Sequence, residues 1–230
     1  MSKHLVLLSG GLDSTVLLAH IHKKETLKNN KCTGNLYALN FIYGQKHKKE
    51  SEYAEYQAHK YLAKYITLDI SDIFSGMDNC MLKHNCDTEI PNKSYAEQQK
   101  ENAGVVKTYI PYRNGIMLSI AAGIAYDLGI DYIYCAAHAD DAAGNAYPDC
   151  TPEFLSNQNM AINRGTDNKV ILQAPFASYN KNDIVSLGKK LKVDFSRTWS
   201  CYKGLLKPCG ICGTCIDRNN ALVNNGLESE

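Results

Sequence analysis

Two groups of residues in this 230-residue chain have types and spacings suited to chemistry. The first is Ser9-Gly10-Gly11-Leu12-Asp13-Ser14-Thr15, set inside the apolar run from Leu7 to Leu18. Adjacent glycines let backbone amides approach an anion without side-chain obstruction, and a helix beginning directly after them adds unpaired N–H donors and a partial positive charge. Ser9, Ser14 and Thr15 add hydroxyl donors. The lysine of the P-loop, G-x-x-x-x-G-K-[ST], is missing, so any nucleotide would be held at its phosphates by the backbone and hydroxyls of residues Leu8 to Thr15. Asp13 is unexpected beside phosphate. It either orients the loop or meets a magnesium ion shared with the nucleotide. A plain strand-to-helix turn is the alternative.

The second group is Cys201, Cys209, Cys212 and Cys215, with Gly210 and Gly213 permitting tight turns between them. Four thiolates at this spacing make a closed tetrahedral zinc site, structural because no coordination position stays open. An iron–sulfur cluster uses the same ligand set, and two disulfides would need an oxidising compartment. Zinc binding would fasten the chain's C-terminal segment, with Trp199 packed nearby.

The elements that must position these groups alternate in type. His4 to Leu8 reads as a buried strand and Thr15 to His22 as a helix. Leu36 to Tyr43 reads as a second strand, Lys46 to Lys64 as a helix and Tyr65 to Leu68 as a third strand. From Asp72 to Thr108 no period survives, which predicts a long loop or lid. Ile116, Ile120, Ile124 and Leu128 recur every fourth residue, a helix for which Asn114 is the expected N-cap. Ile130 to Ala137 is a fourth strand, followed by an irregular loop from His138 to Asp149. A short helix from Phe154 to Ile162, a strand at Val170 to Leu172 and a helix from Lys181 to Leu191, capped by Asn180 with Asp183 completing the capping box, finish the pattern.

Strand–helix alternation predicts an α/β fold with a doubly wound, mostly parallel sheet, and a ligand crevice beyond the carboxyl ends of the strands. Ser9, Tyr43, His138 and Asp140 would gather there. The division expected is an ATP-binding domain over 1–195 and a small zinc-binding segment over 196–230.

Twenty-five Lys and Arg against 24 Asp and Glu leave no global field to attract nucleic acid or an anionic membrane, which favours a small-molecule partner. The longest uncharged apolar-rich run, Gly115 to Tyr126, is short of the ~20 residues a bilayer crossing needs. Leu5 to Leu8 is too short for the core of a signal peptide, so a cytoplasmic protein is expected.

SGGLDS resembles the pyrophosphate-binding SGGxDS loop of the PP-loop, or adenine nucleotide alpha hydrolase, superfamily. Together with FIYGQKH from Phe41, IPYRN from Ile110, AYPDCTPEF from Ala146, and WSCY followed by the cysteine tail, it is similar over nearly the whole chain to the 7-cyano-7-deazaguanine synthase (QueC-like) family. The resemblance implies a Rossmann-like, HUP-type fold and an ATP-dependent ligase of queuosine precursor biosynthesis. In that reaction 7-carboxy-7-deazaguanine is adenylated, ammonium supplies the nitrogen for an amide, and a second ATP activates the amide for conversion to the nitrile. It further implies ATP as a substrate with Mg2+, structural zinc, and a homodimer without nucleic-acid or membrane partners.

The roles assigned on this basis are ATP binding for Leu8 to Thr15, with Asn40 and Phe41 facing the adenosine. Asp13, Ser14, Arg113 and Lys181 are expected to carry the chemistry, Arg113 and Lys181 by meeting carboxylate or phosphate. Tyr43, Gln45, Arg113, Asp140 and Asp149 are the candidates for the deazaguanine, and Asp140, Asp141 and Asp149 serve either magnesium or the guanidine-like edge of the base. His138 is a possible proton acceptor, and Cys150 reads as packing because an adenylate route needs no nucleophilic thiol. A ligase stopping at the amide, a tRNA-modifying PP-loop enzyme and a non-catalytic zinc module are the competing readings.

Overall fold

The computed structural model describes residues 2–29, 34–46, 49–82, 89–101 and 104–229. His47 of the FIYGQKH motif, with Cys32 and Cys86, lies outside them. Five strands, β1 (His4–Leu7), β2 (Leu36–Ile42), β3 (Lys64–Asp69), β4 (Tyr132–Tyr134) and β5 (Ile171–Gln173), pair in parallel in the order β3-β2-β1-β4-β5. Side chains alternate across this sheet. Leu5, Leu39 and Phe41 enter the apolar cluster that holds Met117, Leu118 and Leu155, while Val6, Leu8 and Ala38 enter the opposite one with Val16, Leu17, Ile184 and Val185. A sheet buried on both faces, as the near-continuous apolar strands predict, is the doubly wound arrangement.

Helices α1 (Leu12–Asn29) and α7 (Lys181–Lys190) pack together on one face, and α7 also meets α8 (Gly213–Asn224). Helices α4 (Arg113–Asp127) and α6 (Pro152–Gly165) pack against each other, α4 meeting β4 and α6 meeting β5. The remaining helices are α2 (Lys49–Lys60), α3 (Tyr95–Glu101) and the single turn α5 (Ala139–Ala142). None of the described helices is long and apolar enough to cross a membrane.

Several element boundaries differ from the sequence reading. Helix α1 starts at Leu12 rather than Thr15, because Gly10 takes φ 86° and turns the chain into helix within two residues. It also runs past His22 to Asn29 on a polar stretch that carries no apolar period. Strand β4 is only three residues long; Cys135 N still donates to Gln173 O of β5 at 3.1 Å, and Cys135 to Ala137 line a cleft. The Asp72 to Thr108 segment is not structureless: it contains a 3-10 turn at Ser71–Phe74, an antiparallel bridge from Leu82 to Gln45, and α3. Helix α8, which begins within the cysteine motif, had no separate signal.

Asn114 is not the N-cap of α4. Tyr112 occupies that position at φ 56°, without a side-chain cap of its own. The Asp149 carboxylate caps the helix from a distant segment instead, accepting from Asn114 N at 2.8 Å and Asn114 Nδ2 at 3.2 Å. A cap supplied from 35 residues away leaves no local sequence pattern. By contrast the capping box of α7 forms as expected, with Asn180 and Asp183 bonded reciprocally.

Gly10 is required twice over. Its φ is positive, and a Cβ there would stand 2.2 Å from the Glu50 carbonyl oxygen and 2.7 Å from Ala54 N, both rigid backbone of α2. Gly10→Ala is therefore expected to destabilise the fold by about 2 kcal/mol or more, since strain of about 1–3 kcal/mol adds to a backbone clash. A lowered urea midpoint with an unchanged m-value is the expected result; a midpoint within error of wild type would contradict it.

Candidate active site

The strand order reverses between β1 and β4, and parallel sheets open a crevice at such a switch point. A cleft lies there, lined by Leu7, Leu8, Ser9, Asp13 and Ser14 after β1, by Asn40, Phe41 and Tyr43 at the end of β2, and by Cys135 to Ala137 after β4. Arg113 and Asn114 from the start of α4, Asp141, Tyr147 and Asp149 from the following loops, and Tyr202 from the cysteine segment complete it.

The glycine loop is held from several directions. Ser9 Oγ and Ser14 Oγ are 3.0 Å apart, Gly11 N donates to Ser9 Oγ at 3.1 Å, and Thr15 N donates to Gly11 O at 3.1 Å. Asn40 Nδ2 donates to Leu8 O at 2.9 Å, while Asn40 Oδ1 is buried without a partner. This leaves an acceptor at the end of β2, where the adenosine is expected. From the opposite end of the sequence, Trp199 N donates to Gly10 O at 2.9 Å. The cysteine segment therefore braces the glycine loop directly.

Asp13 does not face the cleft alone. Lys181 Nζ lies 2.6 Å from Asp13 Oδ2 and 3.0 Å from His138 Nε2, and His138 Nε2 lies 3.3 Å from Asp141 Oδ2. Burial works to raise the Asp13 carboxyl, but the Lys181 ammonium beside it prevails and holds it below the ordinary carboxylate value. Burial likewise disfavours the Lys181 ammonium, and Asp13 and Asp141 outweigh it, raising Lys181 above the usual lysine value. Both therefore stay charged at neutral pH, which puts a cation beside the glycine loop.

On the other side of the cleft Arg113 donates from Nη1 to Tyr43 Oη at 3.2 Å and stacks over the Tyr43 ring at 5.2 Å. No Asp or Glu lies within ion-pair distance of it among the described residues. Burial works against its charge, but Tyr43, Tyr202 and Asp149 nearby hold the guanidinium protonated. A cation in a cleft with aromatic neighbours and no close carboxylate is arranged for an anionic ligand. Asp149 is pushed upward by burial in spite of its bonds to Asn114 and the proximity of Arg113.

The structure thus brings Leu8, Ser9, Asp13, Ser14, Asn40, Phe41, Tyr43, Arg113 and Asp149 to one cleft. Gly10 and Gly11 shape the loop from behind, and Leu12 and Thr15 are buried beneath it. Gln45 is 4% exposed beside the cleft, with its amide spent on its own turn: Oε1 accepts from Tyr43 N and Nε2 donates to Phe41 O. Asp140 lies on the far side of Lys181, accepting from Lys181 N at 2.7 Å. Cys150 lines the cleft with its thiol pushed well up by burial, a group that stays protonated.

Glu50, Tyr147 and Tyr202 line the cleft as well and had not been singled out. Tyr147 and Tyr202 sit inside quoted motifs, so proximity to a motif was their only signal. With Tyr95 of α3 they form a hydroxyl chain, Tyr147 Oη to Tyr95 Oη at 3.0 Å and Tyr95 Oη to Tyr202 Oη at 3.2 Å, that ties the 72–108 segment to the cysteine segment.

The sulfurs of Cys201, Cys209, Cys212 and Cys215 all lie within 4.8 Å of one another, and none is in a disulfide. Zn–S bonds of about 2.3 Å in a tetrahedron separate sulfurs by roughly 3.8 Å, so the cluster fits such an ion. Cys209 N donates to Cys201 Sγ at 3.4 Å and Cys212 N to Cys209 Sγ at 3.3 Å, contacts that favour thiolates.

A sequence model of the family described as queuosine biosynthesis protein QueC matches residues 3–226. Among curated proteins the chain is 36% identical to the 7-cyano-7-deazaguanine synthase of Porphyromonas gingivalis, over 97% of this chain and 93% of that one. It is 38% identical to the synthase of Archaeoglobus fulgidus, over 98% and 88%, and 39% identical to that of Aquifex aeolicus, over 96% and 98%.

Proposed function

The chain belongs to the QueC family of queuosine biosynthesis proteins, and from that premise we propose that it converts 7-carboxy-7-deazaguanine, ammonia and ATP to 7-cyano-7-deazaguanine. The observation that carries this reading is the placement of two cations, Lys181 beside the glycine loop and Arg113 across from it, in one cleft at the switch point. One suits the phosphates of ATP and the other the substrate carboxylate.

In this reading the carboxylate oxygen attacks the α-phosphorus of ATP, and the bond to the bridging oxygen breaks to release pyrophosphate. The glycine loop, the first turn of α1 and the Ser9 and Ser14 hydroxyls hold the departing phosphates. Arg113 orients the carboxylate, and Asn40 Oδ1 accepts from the adenosine. Ammonia then displaces AMP to give the amide. A second ATP adenylates the amide oxygen, and loss of AMP and protons leaves the nitrile. Cys135 and Cys150, both raised by burial, take no covalent part.

The four cysteines would hold one zinc ion, which supplies a fixed cross-link between residues 201 and 215. Magnesium arrives with the nucleotide; among the described residues the cysteine cluster is the only group of three or more His, Cys, Asp or Glu side chains gathered tightly enough for a metal. The reading includes a metal-knotted segment over 196–230 attached to an ATP-binding domain over 1–195, acting in the cytoplasm as a homodimer with small-molecule partners only.

A ligase that stops at the amide would use the same cleft, so the product decides. Mass spectrometry after incubation with 7-carboxy-7-deazaguanine, ammonium, magnesium and ATP is expected to show the nitrile with two AMP formed per product. Accumulation of amide with one AMP would overturn the second activation. Release of no pyrophosphate would overturn the enzyme reading.

A further inference from the structure

The start of α3 is fixed by its own sequence. Glu97 N donates to Ser94 Oγ at 3.2 Å and Ser94 N donates to Glu97 Oε2 at 2.8 Å, a capping box that sets Tyr95 at the first position of the helix. The helix is wedged between two segments of the candidate site. On one side Gln99 Nε2 donates to Ala143 O in the loop after β4, and a Cβ on Gly144 would stand 2.6 Å from Gln99 Oε1. On the other side a Cβ on Gly213, between Cys212 and Cys215, would stand 3.1 Å from Lys93 O and 3.3 Å from Tyr95 Cε1. None of the residues of α3 is fully buried.

Tyr95 carries the connection inward. Its ring stands edge-on to Tyr147, with centroids 5.6 Å apart, and its hydroxyl is one of four in a row. Thr108 Oγ1 and Tyr147 Oη are 2.6 Å apart, Tyr147 Oη donates to Tyr95 Oη at 3.0 Å, and Tyr95 Oη donates to Tyr202 Oη at 3.2 Å. A hydroxyl has one proton to give, so Tyr147, whose proton goes to Tyr95, accepts from Thr108, and the row runs one way. Burial pushes all three phenols upward, so they stay neutral hydroxyls at neutral pH. Tyr147 and Tyr202 line the cleft and stand close enough to Arg113 to help hold its charge, while Tyr95 and Thr108 are placed behind them.

We propose that Tyr95 is a positioning residue for the carboxylate end of the deazaguanine substrate. Its hydroxyl links the Tyr147 and Tyr202 hydroxyls and so fixes the two rings that, with Tyr43, surround Arg113. Rings held by their neighbours before the substrate arrives lose no freedom when it binds, which raises affinity without a direct contact from Tyr95. None of the four hydroxyls belongs to the glycine loop, so the effect is confined to the substrate's end of the cleft. A helix outside the sheet thereby sets the affinity for one substrate and not for the nucleotide.

This role rests on the reaction proposed above, and the test separates the two. Tyr95→Phe keeps the edge-on ring and removes only the oxygen that joins the two cleft tyrosines. Thr108→Val keeps the shape of a residue behind the cleft and removes the first hydroxyl of the row. Initial rates are measured against 7-carboxy-7-deazaguanine and against ATP, with Tm recorded for each protein. Tyr95→Phe is expected to raise KM for the carboxylate substrate about tenfold and Thr108→Val about threefold, with KM for ATP changed by less than about twofold. A role in the fold alone would lower Tm and leave both KM values alone or move them together. Either of those patterns overturns the positioning role and leaves the reaction standing, and Thr108→Val decides alone if Tyr95→Phe does not fold. Wild-type protein that forms no AMP from ATP and the carboxylate overturns the reaction and this role with it.

Discussion

Replacing Arg113 by Met will lower kcat/KM by about 10²–10³-fold, the range lost when one preorganised charge or donor is removed from an active site. The same substitution will leave thermal stability unchanged or slightly higher. Arg113 sits in the cleft with one hydrogen bond, to Tyr43 Oη, and with no acidic side chain in ion-pair contact among the described residues. A cation held in that way contributes little to the folded state and costs desolvation. Its charge becomes favourable when an anionic substrate meets it. A residue with only a structural role would show the reverse pattern, a lowered Tm with activity lost in proportion. Arg113→Lys is expected to recover part of the loss, since the ammonium keeps the charge and forfeits the planar fork. Near wild-type kcat/KM in Arg113→Met would remove this residue from the site.

The second large effect is expected at the cysteines. Cys212→Ser is expected to abolish metal binding at the four-cysteine cluster, lower Tm by roughly 8–16 °C and weaken ATP binding together. An ion present at about a thousand times its Kd stabilises by about 4 kcal/mol, and each kcal/mol shifts Tm by about 2–4 °C in a chain of this size. The nucleotide effect follows from geometry. Cys201 is two residues beyond Trp199, whose Nε1 donates to Cys201 O at 2.9 Å and whose backbone N holds Gly10 O at 2.9 Å. Tyr53 stacks on the same indole at 6.2 Å. Loosening the knot therefore releases one side of the glycine loop. Metal analysis of the wild-type protein should give one zinc per chain, whereas iron would favour a cluster instead. A zinc-free variant with unchanged Tm and ATP affinity would contradict the bracing role.

The contrast between these two sites follows from how they are encoded. Cys201, Cys209, Cys212 and Cys215 lie within fifteen residues, so their spacing alone constrains their geometry, and the sulfurs converge as the motif implies. The glycine loop is local in the same way. Strand β1, the two glycines and the first turn of α1 are contiguous, and the parallel sheet follows from apolar strands separated by helical segments.

Partnerships across the chain had no such signature. Asp149 caps α4 from 35 residues away, which displaced Asn114 from its expected place. Gln45 folded back on its own turn, since a side chain three residues past a strand end can accept from Tyr43 N and donate to Phe41 O instead of meeting a ligand. Lys181 was legible as a cation at a helix start, but its partner Asp13 is 168 residues distant.

What the sequence determined by itself is therefore the chemistry available and the order of the elements, because hydrophobic period, glycine loops and cysteine spacing act over a few residues. Only the tertiary structure decided which charges face each other. The switch point between β1 and β4 brings the ends of distant segments into one cleft. Burial there makes each pairing matter, as with Lys181, which is matched by Asp13 and Asp141, and Arg113, which has no acidic side chain in ion-pair contact among the described residues.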